Sequence, residues 1–194
     1  MADNFSVNYP ANVVEGGGGE QASSIILQCN VAPDTYASDR INANSYYGFG
    51  TQFEAAETGY IGNVSVTRMG RGNSPVCNLQ VLIYSGAGPT DGSDFSPGDL
   101  LGSSEKIAAG GLSLGPDFQS QVFNFATPIA VTVGETYCMV IIAVDITTLT
   151  ATHYVTIFQQ DGGVTGLKGG YADGAVNTWY FDDINLCCMI NITS

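Results

Sequence analysis

A period of two in the apolar residues constrains this chain more than any other feature. Val64 and Val66 alternate with Ser65 and Thr67, while Leu79, Val81 and Ile83 share one side of a run opposite Gln80, Leu82 and Tyr84. Val122-Phe123-Asn124-Phe125 repeats the pattern, and Ile129, Val131 and Val133 carry it to Gly134. This spacing belongs to strands with one buried face. Thr136 to Asp145 breaks it by being apolar on both sides, which predicts a central strand buried on both faces. Tyr154 to Phe158 and Trp179 to Leu186 complete the set. Glycine and proline cut the runs short at Gly70-Arg71-Gly72-Asn73, Gly86 to Gly98, Gly110-Gly111, Gly115-Pro116 and Asp161-Gly162-Gly163. No window holds a helical stripe. The expected fold is all-β, an antiparallel, jelly-roll-like β-sandwich.

The charge balance narrows the partners. Eighteen acidic side chains against five basic ones leave a net charge of −13, while 44% of the 194 residues are hydrophobic. That apolar share is too high for a disordered chain, and the length suits one well-buried core. With no basic stripe to displace counterions, neither nucleic acid nor an anionic membrane is an expected partner. The N-terminus, Met1-Ala2-Asp3-Asn4-Phe5, is polar, and no run approaches the roughly 20 apolar residues of a membrane span. Synthesis in the cytoplasm without a signal peptide is the expectation, with a particle surface as the final location. On that view the sequons at Asn4, Asn63 and Asn191 carry little weight.

Residues 1 to 44 differ from the remainder. Gly16 to Gly19 lie between Glu15 and Glu20, with apolar patches at Val13-Val14 and at Ile25-Ile26-Leu27, continuing to Val31. Four consecutive glycines favour no backbone conformation, and flanking carboxylates would repel a phosphate. The reading is an extended Gly-rich arm with one strand, followed by a sandwich domain over residues 45–194. Val13, Val14, Ile25, Ile26, Leu27 and Val31 are the candidate assembly contacts, adding main-chain hydrogen bonds to a neighbouring subunit.

Catalytic patterns are sparse. One histidine, His153, falls in the strand-like stretch ATHYVTIF, and no G-x-S-x-G elbow is present. Five cysteines, Cys29, Cys77, Cys138, Cys187 and Cys188, lack C-x-x-C spacing, and Cys77 and Cys138 read as small core hydrophobes. Cys187 and Cys188 should point to opposite faces of one strand. No cofactor is expected beyond calcium, for which Asp91, Asp94 and Asp99 in the loop from Ser85 to Asp99 supply oxygens, without the spacing of an EF-hand. Asp182 and Asp183 alternate on the last strand, and Asp183 would cap backbone groups or hold calcium. Exposed aromatics for stacking on a glycan would be Tyr46, Tyr47, Tyr171 and Tyr180, with Trp179 and Phe181 facing the core.

The stretches QFEA, GYIGNVSV, NLQVLIYSG, SPGDLLGSS, FNFATPIAVTVGETYCMVI, GGYADG and TWYFDDINL occur in an order that resembles microbial jelly-roll accessory modules. These include the choice-of-anchor and galactose-binding-like types of surface and virion structural proteins. The resemblance spans about residues 45–194 and leaves the arm unmatched. It implies an adhesive or structural role and carries over no catalytic residue. Pro97-Gly98 would set a tight turn, Gly134 another, and Tyr137 would cover the core edge. Residues and resemblance together imply a non-enzymatic subunit of an assembled particle, a bacteriophage capsid-decoration or tail-associated protein, homo-oligomeric or bound to another structural protein. The alternative is a glycan-binding, adhesive β-sandwich.

Overall fold

The computed structural model describes residues 22–27, 36–42, 46–86, 98–161, 169–173, 178–182 and 184–194. Among them the chain is almost entirely strand: β1 (Ala22–Leu27), β2 (Tyr36–Ile41), β3 (Tyr46–Glu54), β4 (Gly59–Arg71), β5 (Val76–Ser85), β6 (Leu100–Ser103), β7 (Ile107–Ala108), β8 (Gln119–Val131), β9 (Thr136–Thr148), β10 (Val155–Asp161), β11 (Gly169–Asp173), β12 (Thr178–Asp182), β13 (Ile184–Leu186) and β14 (Cys188–Thr193). One short 3-10 turn, Ala109–Gly111, interrupts them.

Hydrogen bonding runs β1-β14-β4-β10-β2-β3-β9-β5-β6, with β8 on β4 and the β11–β12 pair on the far side of β3. Among the described residues every strand pairing is antiparallel except the parallel contact of Ile41 with Tyr46, and an isolated parallel bridge joins Arg71 to Leu114. The sheet closes over itself as a sandwich. Inward residues of β4 and β8 (Ile61, Val64, Val66, Phe123, Phe125) meet those of β3, β5 and β9 (Phe49, Phe53, Val81, Ile83, Met139, Ile141) in one core.

β9 confirms the strand read as buried on both sides. It lies between β3 and β5, and Tyr137 through Ala143 are all buried. Met139 and Ile141 enter the main core, whereas Cys138, Val140 and Ile142 join Leu82 in a second apolar cluster on the opposite face. The corner before β9 also forms as read. Gly134 adopts φ +78°, which only glycine holds without strain. Tyr137 stacks on Phe53 at 5.6 Å between ring centroids, and its hydroxyl accepts from the Thr132 N–H at 2.9 Å.

Three readings need correction. Gly70-Arg71-Gly72-Asn73 is not wholly a turn, because β4 continues to Arg71 and pairs there with β10. His153 precedes β10 instead of lying in it; its Nδ1 sits 3.1 Å from the hydroxyls of Thr150 and Thr152 in a bend. The strand expected over Ile25 to Val31 is β1, Ala22–Leu27, and it pairs with β14 of its own chain. Val31 lies outside the described residues. The stretch before residue 45 thus gives two strands, β1 and β2, to the same sheet.

Candidate functional site

The structure gathers side chains that the sequence scattered. Three of the five basic residues, Arg40, Arg68 and Arg71, lie on β2 and the end of β4, the two strands that flank β10. Register places Arg40 and Gly70 on either side of Thr156. Arg40 lies over the ring of Tyr154 at 4.1 Å, and Arg68 over that of Phe158 at 5.4 Å. Phe118 meets Phe158 edge to face with centroids 4.5 Å apart. The result is a half-exposed aromatic floor carrying two guanidinium groups.

Two glycines make that floor. A Cβ on Gly70 would stand 2.7 Å from the Phe118 ring, and one on Gly72 would stand 2.5 Å from that of Tyr154. At both positions a ring from a distant segment lies where a side chain would stand. Arg68 has φ +55°, at a register shift between Val66 and Met69 in the pairing of β4 with β8. A bulge of this kind re-aims a side chain, and strain held by a non-glycine residue marks a constrained position.

Arg71 acts differently. Its Nε donates to the Leu112 carbonyl at 2.7 Å and its Nη1 to that of Asn73 at 2.9 Å, so it ties the segment leading to Phe118 onto β4. Backbone bonds from Arg71 N to Ser113 O and from Gly115 N to Arg71 O reinforce the tie. Ser113 Oγ and Gln119 Oε1, 2.6 Å apart, brace the same segment.

The chemistry open to this patch is recognition. Arginine with aromatics is the composition typical of interface anchors. The thiols are not poised as nucleophiles. Cys77, Cys138 and Cys188 are free and buried, and burial raises all three, Cys77 to about 11. Cys187 is disulfide-bonded. Among the described residues no group of three His, Cys, Asp or Glu side chains could hold a metal.

The described residues singled out from the sequence lie on β1, β3, β11 and β12 and in the turn before β6. Tyr46 is half-buried and packs edge-on against Phe49 at 5.5 Å, and Tyr47 is also half-buried. Tyr171 pairs in register with Phe49 on one side and Tyr180 on the other, in β11 and β12. Asp99 is exposed and takes part in a turn, its N–H donating to Ser85 Oγ at 3.0 Å. Ile25, Ile26 and Leu27 pair with Ile190, Met189 and Cys188. Val13, Val14, Val31, Asp91, Asp94 and Asp183 lie outside the described residues. Asn63 and Asn191 face one another across β4 and β14 with their side-chain amides hydrogen-bonded, so in the folded chain each sequon amide is engaged by the other.

No family model and no curated protein matches the chain. It is similar to the solved structure titled crystal structure of infectious bursal disease virus VP2 subviral particle, at 14% identity and a TM-score of 0.32, covering 90% of this chain and 41% of that one. The structure of infectious bursal disease virus Gx strain gives 14% identity and a TM-score of 0.32, with 91% and 43% covered. The chain spans less than half the length of either.

Proposed function

We propose that this chain is a non-enzymatic structural subunit of an assembled particle, a bacteriophage virion protein of the capsid-decoration or tail-associated kind, held in place through its N-terminal residues. The observation that carries this reading is the position of β1. It ends the sheet, and among the described residues no strand pairs with its outer edge. An edge strand offers a row of N–H and C=O groups to a strand of another chain. A disulfide at Cys187 suits a protein that works in oxidising surroundings, such as a virion surface, since disulfides are rare in reducing cytosol. The resemblance of residues 45–194 to accessory modules of surface and virion proteins points the same way.

Deletion of residues 1–21 tests the reading while leaving β1 in place. The truncated chain should keep its circular dichroism spectrum and melting temperature yet fail to enter the particle. Normal incorporation would overturn the proposal. Binding to a glycan array, lost in Tyr47→Ala, would favour an adhesive module instead.

A further inference from the structure

The outer face of β9 sets a thiol against an amide. In the ladder of β3 with β9, Gln52 pairs directly with Cys138, and Tyr84 of β5 closes the row on the other side. Directly opposed residues of an antiparallel pair point to the same side of the sheet, with Cβ atoms about 4.5–5.5 Å apart. That side is the second apolar cluster, where Cys138 lies among Leu82, Val140 and Ile142. Cys138 is free and fully buried, and its sulfur approaches the Met139 carbonyl at 4.0 Å. Gln52 supplies an independent observation. It is 3% exposed, and its Nε2 is shielded from solvent with no hydrogen-bond partner among the described residues. An amide nitrogen held out of water without an acceptor is a standing cost to the fold.

We propose that Gln52 and Cys138 close an internal thioester, a covalent cross-link between β3 and β9. The Cys138 sulfur attacks the carboxamide carbon of Gln52. The Sγ–Cδ bond forms, the Cδ–Nε2 bond breaks, and the amide nitrogen leaves as ammonia carrying the thiol proton. Nothing is oxidised or reduced, so the exchange needs no co-reactant. It expels the unpartnered nitrogen instead of leaving it buried. Register supplies the proximity, because two groups fixed on adjacent strands meet at the high effective concentration of an intramolecular reaction. Burial acts at two stages. In the folded chain it keeps the Cys138 thiol protonated, which places the exchange at the pairing of β3 with β9, before the face is sealed. Once the face is sealed, the same apolar surroundings keep water from the thioester carbonyl. Cys188 is a built-in control: it is also free and buried, but it lies between Leu27 and Val66 and has no amide opposite it. The cross-link needs neither a partner nor the N-terminal residues, so it goes beyond the particle reading.

Intact-mass spectrometry on the purified full chain tests it. The expected mass is that of the sequence less one ammonia, beyond the hydrogens lost in the Cys187 disulfide. N-ethylmaleimide, applied in denaturant at mildly acidic pH, should label Cys77 and Cys188 and spare Cys138. Methylamine added to the unfolded chain should then free the Cys138 thiol and leave a methylamide at Gln52, both located by peptide mapping. Cys138→Ala and Gln52→Met should each restore the full mass, whereas Cys188→Ala, which leaves the pair intact, should keep the loss. The wild-type chain decides the matter even where a variant fails to fold. A wild type at full sequence mass with Cys138 labelled, or an ammonia lost at any other residue, would sink the proposal.

Discussion

The two ends of β4 are built from different materials. At Gly59 the space a side chain would need is taken by backbone, the Thr193 carbonyl of β14. At Gly70 and Gly72 it is taken by rings, Phe118 and Tyr154, carried in from other segments. Backbone in a hydrogen-bonded ladder cannot give way without breaking register; a ring can turn aside. The Gly59 end is thus fixed by main-chain geometry, while the arginine end depends on side chains that can adjust to what they meet. A recognition surface gains from that adjustability.

Substitutions should separate the two materials. Gly59→Ala should cost most, about 3 kcal/mol at the upper end of overpacking penalties, seen as a lower urea midpoint; an unchanged midpoint would mean that β14 yields. Arg71→Ala should cost about 2 kcal/mol, because its guanidinium bonds to Leu112 and Asn73 carbonyls are charge-assisted. It should also loosen Phe118, which proteolysis of the segment from residue 112 to 118 would register. At the corner before β9, Tyr137→Phe removes the acceptor of the Thr132 N–H and should cost about 1 kcal/mol by chemical denaturation. Gly72→Ala should cost less than about 1 kcal/mol if the Tyr154 ring swings clear, with the displacement visible in the ring's NMR shifts. A loss equal to that of Gly59→Ala would erase the distinction between the ends.

The smallest effect belongs to Asp145, an exposed residue near the arginine end. Hydrogen bonds from Lys106 first, and then from Asn78, hold its carboxyl below the ordinary carboxylate range. A lowered folded-state value adds stability that is fully present above the unfolded value of about 3.9, and that is lost as pH falls through the lower folded value. The difference in melting temperature between the wild type and Asp145→Asn should therefore be present at neutral pH and vanish in acid. A difference that persists in acid would assign the effect to packing.

Strand identity was legible where burial alone decides it. Thr136 to Asp145 reads as a two-sided core strand because Tyr137 to Val144 is an unbroken apolar run, and β9 occupies that place. Gly134 and Tyr137 were legible for a local reason, a turn followed at once by the strand it serves. The arginine patch was not. Gly70 and Gly72 look like turn residues until Phe118 and Tyr154 arrive from 48 and 82 positions further along the chain. No local pattern records that arrival. The positive φ of Arg68 is likewise set by a register shift between paired strands. The one available signal was scarcity: with only five basic residues, where they meet carries more information than in an ordinary chain. The disulfide at Cys187 was hidden for a similar reason, since sequence spacing does not say which sulfurs meet in space.

The antiparallel pairing of β1 with β14 also decides how the molecule bears load. Ala22 lies opposite Thr193, so the start of β1 and the end of β14 stand side by side at one end of the ladder. Tension applied between those two points would unzip the pair one residue at a time, from Ala22 toward Leu27, at low force. Tension entering at Ala22 and resisted at the far end of β4 would load the β1–β14 ladder along its length, stressing its hydrogen bonds together. A molecule tethered by its N-terminal residues and pulled from its arginine end would be loaded in the stronger of these two directions.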